Sequence, residues 1–206
     1  QILDRIAIND TSFGENYNER TKKIGLFFKA KHKKMREELE DADYFKKMIV
    51  NSFAYKETTV VQAVQTDLNQ HLGLYYKLRS LLTAKKTILH IATDYGQLDV
   101  LLALQEPQMK IDSFLVDPEK RAVAKTNYIL QKRHIHYLES REEVANKNYE
   151  TVVISDNNNS DWTTAASLSN TIILVNSPLL KEEALSIGFE IETATDNFIV
   201  LKRKKL

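Results

Sequence analysis

Residues 88–104 read ILHIATDYGQLDVLLAL and contain a strand pattern followed closely by a helix pattern. Its first five residues, ILHIA, form a short and mostly apolar run that is typical of a buried strand, whereas QLDVLLAL has the apolar spacing of a helix. Only four residues, TDYG, separate the two patterns, which is enough for a tight turn. A strand that enters a helix through a tight turn is the first half of a strand–helix–strand unit, from which parallel sheets are built.

The same alternation continues to the end of the chain. After the strand at 87–92, further strands are predicted at 111–116, 135–138, 151–155 and 171–176, with helices at 97–104, 118–130 and from 177 toward 186. This order predicts a parallel sheet with helices on both faces. The final segment, GFEIETATDNFIVLKRK at 188–204, contains two strand patterns separated by too few residues for a crossover helix, so they must form an antiparallel hairpin.

The first 84 residues have a different pattern, because their apolar residues have helical spacing throughout. A lysine-rich helix is predicted at 18–39, a second begins with Asp43 as its cap, and Thr58 or Thr59 caps a third. A fourth helix is predicted to begin after Gly73. We therefore expect an α/β fold in which a helical segment, 1–84, packs against a mostly parallel Rossmann-like domain, 85–206.

Composition excludes several classes of function. The chain has 206 residues, and 29 Lys and Arg against 28 Asp and Glu give no indication of a nucleic-acid partner. It contains no cysteine, which excludes disulfides, thiolate nucleophiles and Cys-based zinc sites. His134 and His136 would share one face of a strand, but the sequence offers no third ligand, so no metal is predicted. No apolar run approaches the roughly 20 residues that span a bilayer, and the N-terminus lacks a signal-peptide pattern.

A basic segment stands out at residues 20–36, which contain eight Lys or Arg and no Asp or Glu. Leu26, Phe27 and Phe28 are interleaved with these cations, a pattern that suits an anionic membrane surface. Contact with nucleic acid is a second interpretation. A third is a solvated helix face that the acidic residues of 37–43 balance.

The run of parallel strands closed by a hairpin resembles the class I methyltransferases, which bind S-adenosylmethionine (SAM). In that family a glycine-rich turn follows the first strand, so that the backbone approaches the methionine end of the cofactor. The resemblance implies that this turn consists of Ala92, Thr93, Asp94, Tyr95 and Gly96 here, with His90 at the position of the family's acid. Ala92 and Asp94 replace glycines, and their β-carbons limit positive φ and fill space that the ligand would need. His90 itself is interpreted as a buried histidine that a hydrogen bond satisfies.

Two further positions follow from the same resemblance. Asp117, at the end of the second strand, stands where the family uses a carboxylate to accept hydrogen bonds from the two ribose hydroxyls. The alternative is that Asp117 only caps the helix that begins at Pro118. Ser155 and Asp156, after the fourth strand, stand where the family often presents catalytic or substrate-contacting residues, and we predict that both contribute to the cofactor site. The alternative there is a polar turn. No general base is identifiable.

A second resemblance is to methyltransferase-like C-terminal regions of bacterial lipid acyltransferase-type or exporter-type membrane polypeptides, on AYKETTVVQAV, DYGQLDVLLAL and VDPEKRAVA. It implies that Gln1 follows the remainder of a longer polypeptide and that the basic segment lies at the inner, cytoplasmic face of a membrane. Two hypotheses for function result. One is a degenerate methyltransferase-like module that regulates or binds partners within that polypeptide, and the other is an active SAM-dependent methyltransferase.

Overall fold

A computed structural model describes residues 43–54, 56–127, 135–144, 147–155, 169–176 and 179–204. The chain divides into two compact units, 1–47 and 48–206. In the first unit the described residues, 43–47, are helical. The second unit holds the sheet and the described residues of the candidate site. The predicted boundary between 84 and 85 lies within this second unit, between a long helix and the first strand.

Seven strands form one sheet within the described residues, in the order β3-β2-β1-β4-β5-β7-β6. The strands are β1 Thr87–Ala92, β2 Lys110–Leu115, β3 Ile135–Tyr137, β4 Tyr149–Ser155, β5 Ser169–Val175, β6 Phe189–Ala194 and β7 Phe198–Arg203. Strands β1 to β5 run parallel to one another, and β7 runs antiparallel to both β5 and β6. The predicted fold, a mostly parallel sheet with a C-terminal antiparallel hairpin, is confirmed.

Six helices lie within the described residues: α1 at 43–52, α2 Thr58–Leu82, α3 Gln97–Gln105, α4 Pro118–Lys125, α5 Arg141–Val144 and α6 Leu179–Ser186. The first two precede β1, and the other four lie between strands in the chain. Pro118 begins α4 at the first helical position, as predicted. The helix ends earlier than predicted, at Lys125, and Asn127 turns inward, where its side chain donates a 2.8 Å hydrogen bond to the Ser52 hydroxyl.

The central strands supply the core. Strands β1, β4 and β5 are buried along almost their whole length, as expected of parallel strands that helices cover on both faces. One cluster of buried side chains extends from β1 and β4 to the C-terminal hairpin. It includes Leu89, Ile91, Val152, Ile154, Ile172, Leu174, Phe189 and Leu201.

Helix α2 corrects two predictions made from the sequence. It is one helix of 25 residues that runs straight through Gly73, and its N-cap is Glu57, whose side chain makes no capping hydrogen bond. Neither Thr58 nor Thr59 is the cap. Gly73 is exposed in the helix interior, where glycine costs about 1 kcal/mol relative to alanine. The helix continues because its buried face outweighs that cost, with Val60, Val64, Leu68, Tyr75, Leu78 and Leu82 packed inward.

The strand register brings three strand ends together. Ala92 at the end of β1 pairs with Leu115 on β2 and with Ser155 on β4. The segments that follow these strands therefore leave the sheet at one edge, its carboxyl edge. In open α/β sheets this is the edge at which ligands bind. Within the described ranges, no helix is both long and apolar enough to cross a membrane.

We expect Gly73→Ala to stabilise the protein by about 0.5 to 1 kcal/mol, because alanine loses less backbone entropy in a helix. A β-carbon at this position meets nothing within 4 Å, so no steric cost offsets the gain. Urea unfolding followed by circular dichroism measures the change. An unfolding free energy equal to or lower than that of the wild type would contradict the continuous helix.

Candidate functional site

The turn between β1 and α3 depends on Gly96. This residue caps α3 with φ of +76°, a left-handed conformation that glycine adopts without strain. A β-carbon there would lie 3.0 Å from Asp99 Oδ2 and 3.5 Å from the Tyr137 hydroxyl. Among the described residues, positive φ otherwise occurs only at Gly188 and Asn176. The turn therefore keeps its glycine at the one place where the backbone requires it.

This geometry corrects an expectation about the two replaced glycines. Ala92 and Asp94 do not have positive φ, so their β-carbons do not strain the backbone. Ala92 is the fully buried last residue of β1. Asp94 folds back on the turn, where its Oδ1 accepts a 2.7 Å hydrogen bond from the Gly96 amide. Its other oxygen lies 3.5 Å from the Tyr75 hydroxyl on α2.

A second backbone amide of the turn, that of Tyr95, also has a hydrogen-bond partner within the protein. The Tyr95 amide donates to Gln97 Oε1 at 2.9 Å, and the Gln97 amide nitrogen, Nε2, donates to Asp67 Oδ2 at 3.1 Å. Gln97 thus ties the turn to α2. Two amides of the turn, those of Tyr95 and Gly96, are therefore already occupied by side chains of the protein itself.

A polar cluster on α2 covers the turn. Asp67 Oδ2 accepts a 2.6 Å hydrogen bond from the Tyr75 hydroxyl, and Asp67 Oδ1 lies 2.8 Å from His71 Nδ1. Burial and the carboxylates of Asp94 and Asp67 raise the pKa of Tyr75, so its hydroxyl stays protonated and donates. Sequence reasoning missed this cluster. The spacing of 67, 71 and 75, four residues apart on one helix face, was the available signal.

Beneath the turn lies a buried charged group, Asp99. Its Oδ1 lies 2.7 Å from His90 Nδ1, and its Oδ2 accepts a 2.6 Å hydrogen bond from the Ser113 hydroxyl. His90 and Asp99 are almost completely buried, which confirms the interpretation of His90 as a satisfied core histidine. Burial by itself lowers the pKa of His90, but the charge and hydrogen bond of Asp99 and the charge of Asp94 outweigh it, and that pKa is raised.

At the end of β2, Asp117 confirms the capping interpretation. Its Oδ1 accepts hydrogen bonds from the amides of Glu119, at 2.9 Å, and Lys120, at 3.3 Å. Both capping bonds use the same oxygen. Within the described part of the chain, Oδ2 has no hydrogen-bond partner, so capping leaves one carboxylate oxygen for another donor. Asp117 as a ribose ligand stays a prediction.

A cleft of about 550 Å³ opens between Asp117 and the turn. Its lining residues come from the start of α2, the turn and α4, and they are Lys56, Glu57, Thr59, Val60, Tyr95, Asp117, Glu119, Lys120 and Val123. Ligand sites commonly have volumes of roughly 300 to 1,000 Å³. Two lysines against three carboxylates leave the lining with one excess negative charge.

Tyr95 and Lys120 shape the wall of this cleft. The edge-to-face contact between Tyr95 and Phe53 has a ring-centroid distance of 6.4 Å. The Lys120 ammonium lies 5.5 Å from the centre of the Tyr95 ring and donates a 2.6 Å hydrogen bond to the Thr93 carbonyl. Lys120 therefore joins α4 to the turn after β1, a contact that sequence reasoning missed.

The structure describes only some of the remaining predicted residues. Ser155 ends β4 beside Ala92, at the same edge of the sheet, whereas Asp156 lies outside the described residues. The basic segment 20–36 and His134 also lie outside them. His136 is largely exposed, with Nδ1 3.5 Å from Asp112. In the ranges that the structure describes, no three His, Asp or Glu side chains are grouped as metal ligands.

The sequence matches no protein-family model and no curated protein. Its structure does resemble solved structures. MtNAS in complex with MTA and tNA is 8% identical with a TM-score of 0.58, covering 79% of this chain and 71% of that one. An O-methyltransferase family protein from Burkholderia thailandensis is 11% identical with a TM-score of 0.56, covering 74% and 62%.

Magnesium protoporphyrin IX methyltransferase from Synechocystis PCC 6803, solved with bound SAM, is 13% identical with a TM-score of 0.53, covering 81% of this chain and 96% of that one. Identities this low establish the fold alone. That fold is the Rossmann-like fold of class I SAM-dependent methyltransferases, and the first resemblance is confirmed. The resemblance to membrane polypeptides stays a prediction.

We expect Gly96→Ala to destabilise the protein by about 1 to 3 kcal/mol, because alanine is strained at this φ and its β-carbon would crowd Asp99. The loss is measured as a lower unfolding free energy in urea. Gly73→Ala is the matched control, since the same substitution on α2 should have the opposite sign. Equal effects at both positions would contradict the special geometry of the turn.

The raised pKa of His90 predicts how stability depends on pH. The histidine pKa is about 6.5 in the unfolded chain and higher in the folded one, so the folded state holds the extra proton. The His90 contribution is complete below about pH 6.5 and is lost as the pH rises through the folded pKa, by up to about 1.4 kcal/mol per pH unit. Unfolding free energies from pH 6 to 9 measure it.

His90→Asn is the control for this titration, because an amide nitrogen can replace Nδ1 as the donor to Asp99 without titrating. Burial raises the pKa of Asp94 and the charge of His90 opposes that rise, so the difference between the two proteins reports the coupled titration of His90 and Asp94. A wild type and a variant that lose stability equally over this range would show that His90 does not titrate as described.

Proposed function

We propose that the cleft binds SAM and that the chain is a SAM-dependent methyltransferase. The observation that carries the proposal is the divided role of Asp117, whose Oδ1 caps α4 while Oδ2 is left without a partner beside a cleft of about 550 Å³. A carboxylate oxygen in this position can accept hydrogen bonds from ribose hydroxyls, and such charge-assisted bonds are stronger than neutral ones. Capping and ligand binding thus become compatible roles of one side chain.

The backbone of the turn supports the same proposal. Within the turn, positive φ is confined to Gly96, so the replacement of two glycines by Ala92 and Asp94 leaves the turn without strain. The Asp94 carboxylate is directed at the Gly96 amide and at Tyr75 rather than lining the cleft. The space between the turn and Asp117 therefore stays open.

Charge complementarity adds a second argument. The cleft lining carries two lysines and three carboxylates. SAM carries a sulfonium, an ammonium and a carboxylate, which sum to one positive charge at neutral pH. An excess of negative charge in a partly enclosed cleft favours a cationic ligand over an anionic one. The bound SAM in the methyltransferase from Synechocystis PCC 6803 agrees with this choice of ligand for the shared fold.

When bound, SAM supplies a methyl group on a positively charged sulfur, which an oriented nucleophile can attack directly. Such a transfer can depend mainly on proximity and alignment, so this chain's residues need only hold the donor and exclude water. We assign the ribose to Asp117 and the methionine portion to the backbone of Thr93–Gly96. Ser155 ends β4, and we place the acceptor near Ser155 and Asp156, the next residue in the sequence.

A second candidate is a module that has the fold but does not transfer methyl groups, serving as a regulatory or interaction domain. The specific observation in its favour is that the amides of Tyr95 and Gly96 already have partners within the protein, while Lys120 occupies the Thr93 carbonyl. Membership of a larger membrane-associated polypeptide, with residues 20–36 on an anionic membrane surface at the cytoplasmic side, is a proposal that fits this candidate.

We expect SAM and S-adenosylhomocysteine to bind the wild type in calorimetric titration, and Asp117→Ser to weaken both by about tenfold or more, since charged hydrogen bonds contribute about 1.5 to 3 kcal/mol each. Serine caps a helix as well as aspartate does, so α4 keeps its cap while the second carboxylate oxygen is removed.

Thermal unfolding of the Asp117→Ser variant shows whether the cap is retained. If a folded wild type gives no heat with either ligand, the methyltransferase proposal fails and the non-catalytic module becomes the better account. If wild type and variant bind with equal affinity, the protein binds the cofactor but Asp117 is not one of its ligands.

A further inference from the structure

Lys120 spans the edge of the cleft in a way that resembles a ligand. Its own backbone amide donates to Asp117 Oδ1, while its ammonium donates to the Thr93 carbonyl at 2.6 Å. The distance from the ribose-binding candidate to the turn is therefore bridged by one lysine side chain. A part of that side chain lies beside the Tyr95 ring, which the ammonium approaches to 5.5 Å.

The tail of SAM has a comparable length and ends in the same group. Beyond the ribose it continues through the 5′ carbon, the sulfur and three further carbons to an ammonium. The Lys120 side chain has four methylene groups before its ammonium. A nucleoside whose ribose contacts Asp117 would thus bring its amino group to the region of the Thr93 carbonyl, which Lys120 already occupies.

We infer that Lys120 fills the ammonium subsite of the turn and determines which nucleosides the cleft prefers. A ligand with an amino-acid tail must displace Lys120 from Thr93, whereas a nucleoside thioether without that tail need not. The apparent affinity for ligands that carry the tail is therefore reduced in proportion to the fraction of molecules in which Lys120 has left the turn. This inference rests on the proposed function, because it assumes that the nucleoside lies against Asp117.

A second lysine in the cleft lining provides the contrast. Lys56 also borders the cleft, but its ammonium contacts Thr126 at the end of α4 and not the turn. Removal of either lysine changes the net charge of the lining by the same amount. Only Lys120 is positioned to compete with the amino group of a ligand, so the two positions separate local competition from the general electrostatic field.

The test compares two probes that carry no net charge, S-adenosylhomocysteine and 5′-methylthioadenosine, by calorimetric titration. We expect Lys120→Met to strengthen binding of S-adenosylhomocysteine about three- to tenfold while binding of 5′-methylthioadenosine changes less than about twofold. Lys56→Met should leave the ratio of the two affinities unchanged. Lys120→Arg, which keeps the charge, should retain the wild-type ratio, and thermal unfolding confirms that each variant is folded.

The outcomes distinguish failure of this inference from failure of the proposed function. If 5′-methylthioadenosine binds but Lys120→Met leaves the ratio unchanged, or weakens S-adenosylhomocysteine, Lys120 does not occupy the ammonium subsite and this inference is wrong. If neither probe binds to the wild type or to any folded variant, the cleft is not a SAM site, and the proposed function fails together with the inference.

Discussion

The buried carboxylate of Asp99 is the interaction on which the turn depends. It lies on the first turn of α3, and it joins that helix to β1 through His90 and to β2 through Ser113. A buried charge is stable only when its oxygens have partners, so the helix, both strands and the carboxylate must keep their relative positions. Gly96 passes directly over this group and has no room for a β-carbon. The conformation of the turn after β1 is therefore determined by the buried contacts of Asp99.

This constraint explains why one glycine is sufficient for this turn. The requirement for positive φ falls on Gly96 alone, while Asp94 satisfies the Gly96 amide and Gln97 that of Tyr95. The same bonds that stabilise the turn also reduce the number of amides left for a ligand. A cofactor in the adjacent cleft would therefore depend more on Asp117 than on the turn, and it would meet Lys120 at the Thr93 carbonyl.

Much of the fold could be predicted from the sequence, because strands that are buried on both faces and a hairpin with a short connection leave strong local patterns. Asp117 could be found as a cap for the same reason, since an aspartate before a proline is a local signal. The continuity of α2 through Gly73 could not, because the burial of one face of the helix outweighs the helix propensity of one residue. The contacts of Asp67 with Gln97 and of Lys120 with Thr93 join residues distant in sequence, which no local pattern reveals.

A crystal structure of the chain with S-adenosylhomocysteine would show whether Asp117 binds the ribose. We expect the ribose hydroxyls to lie within hydrogen-bond distance of Asp117 Oδ2, Oδ1 still to cap α4, and the Lys120 ammonium to have left the Thr93 carbonyl. A nucleoside bound away from Asp117, or a ribose beside Asp117 with the Lys120 contact unchanged and the amino group elsewhere, would contradict this expectation.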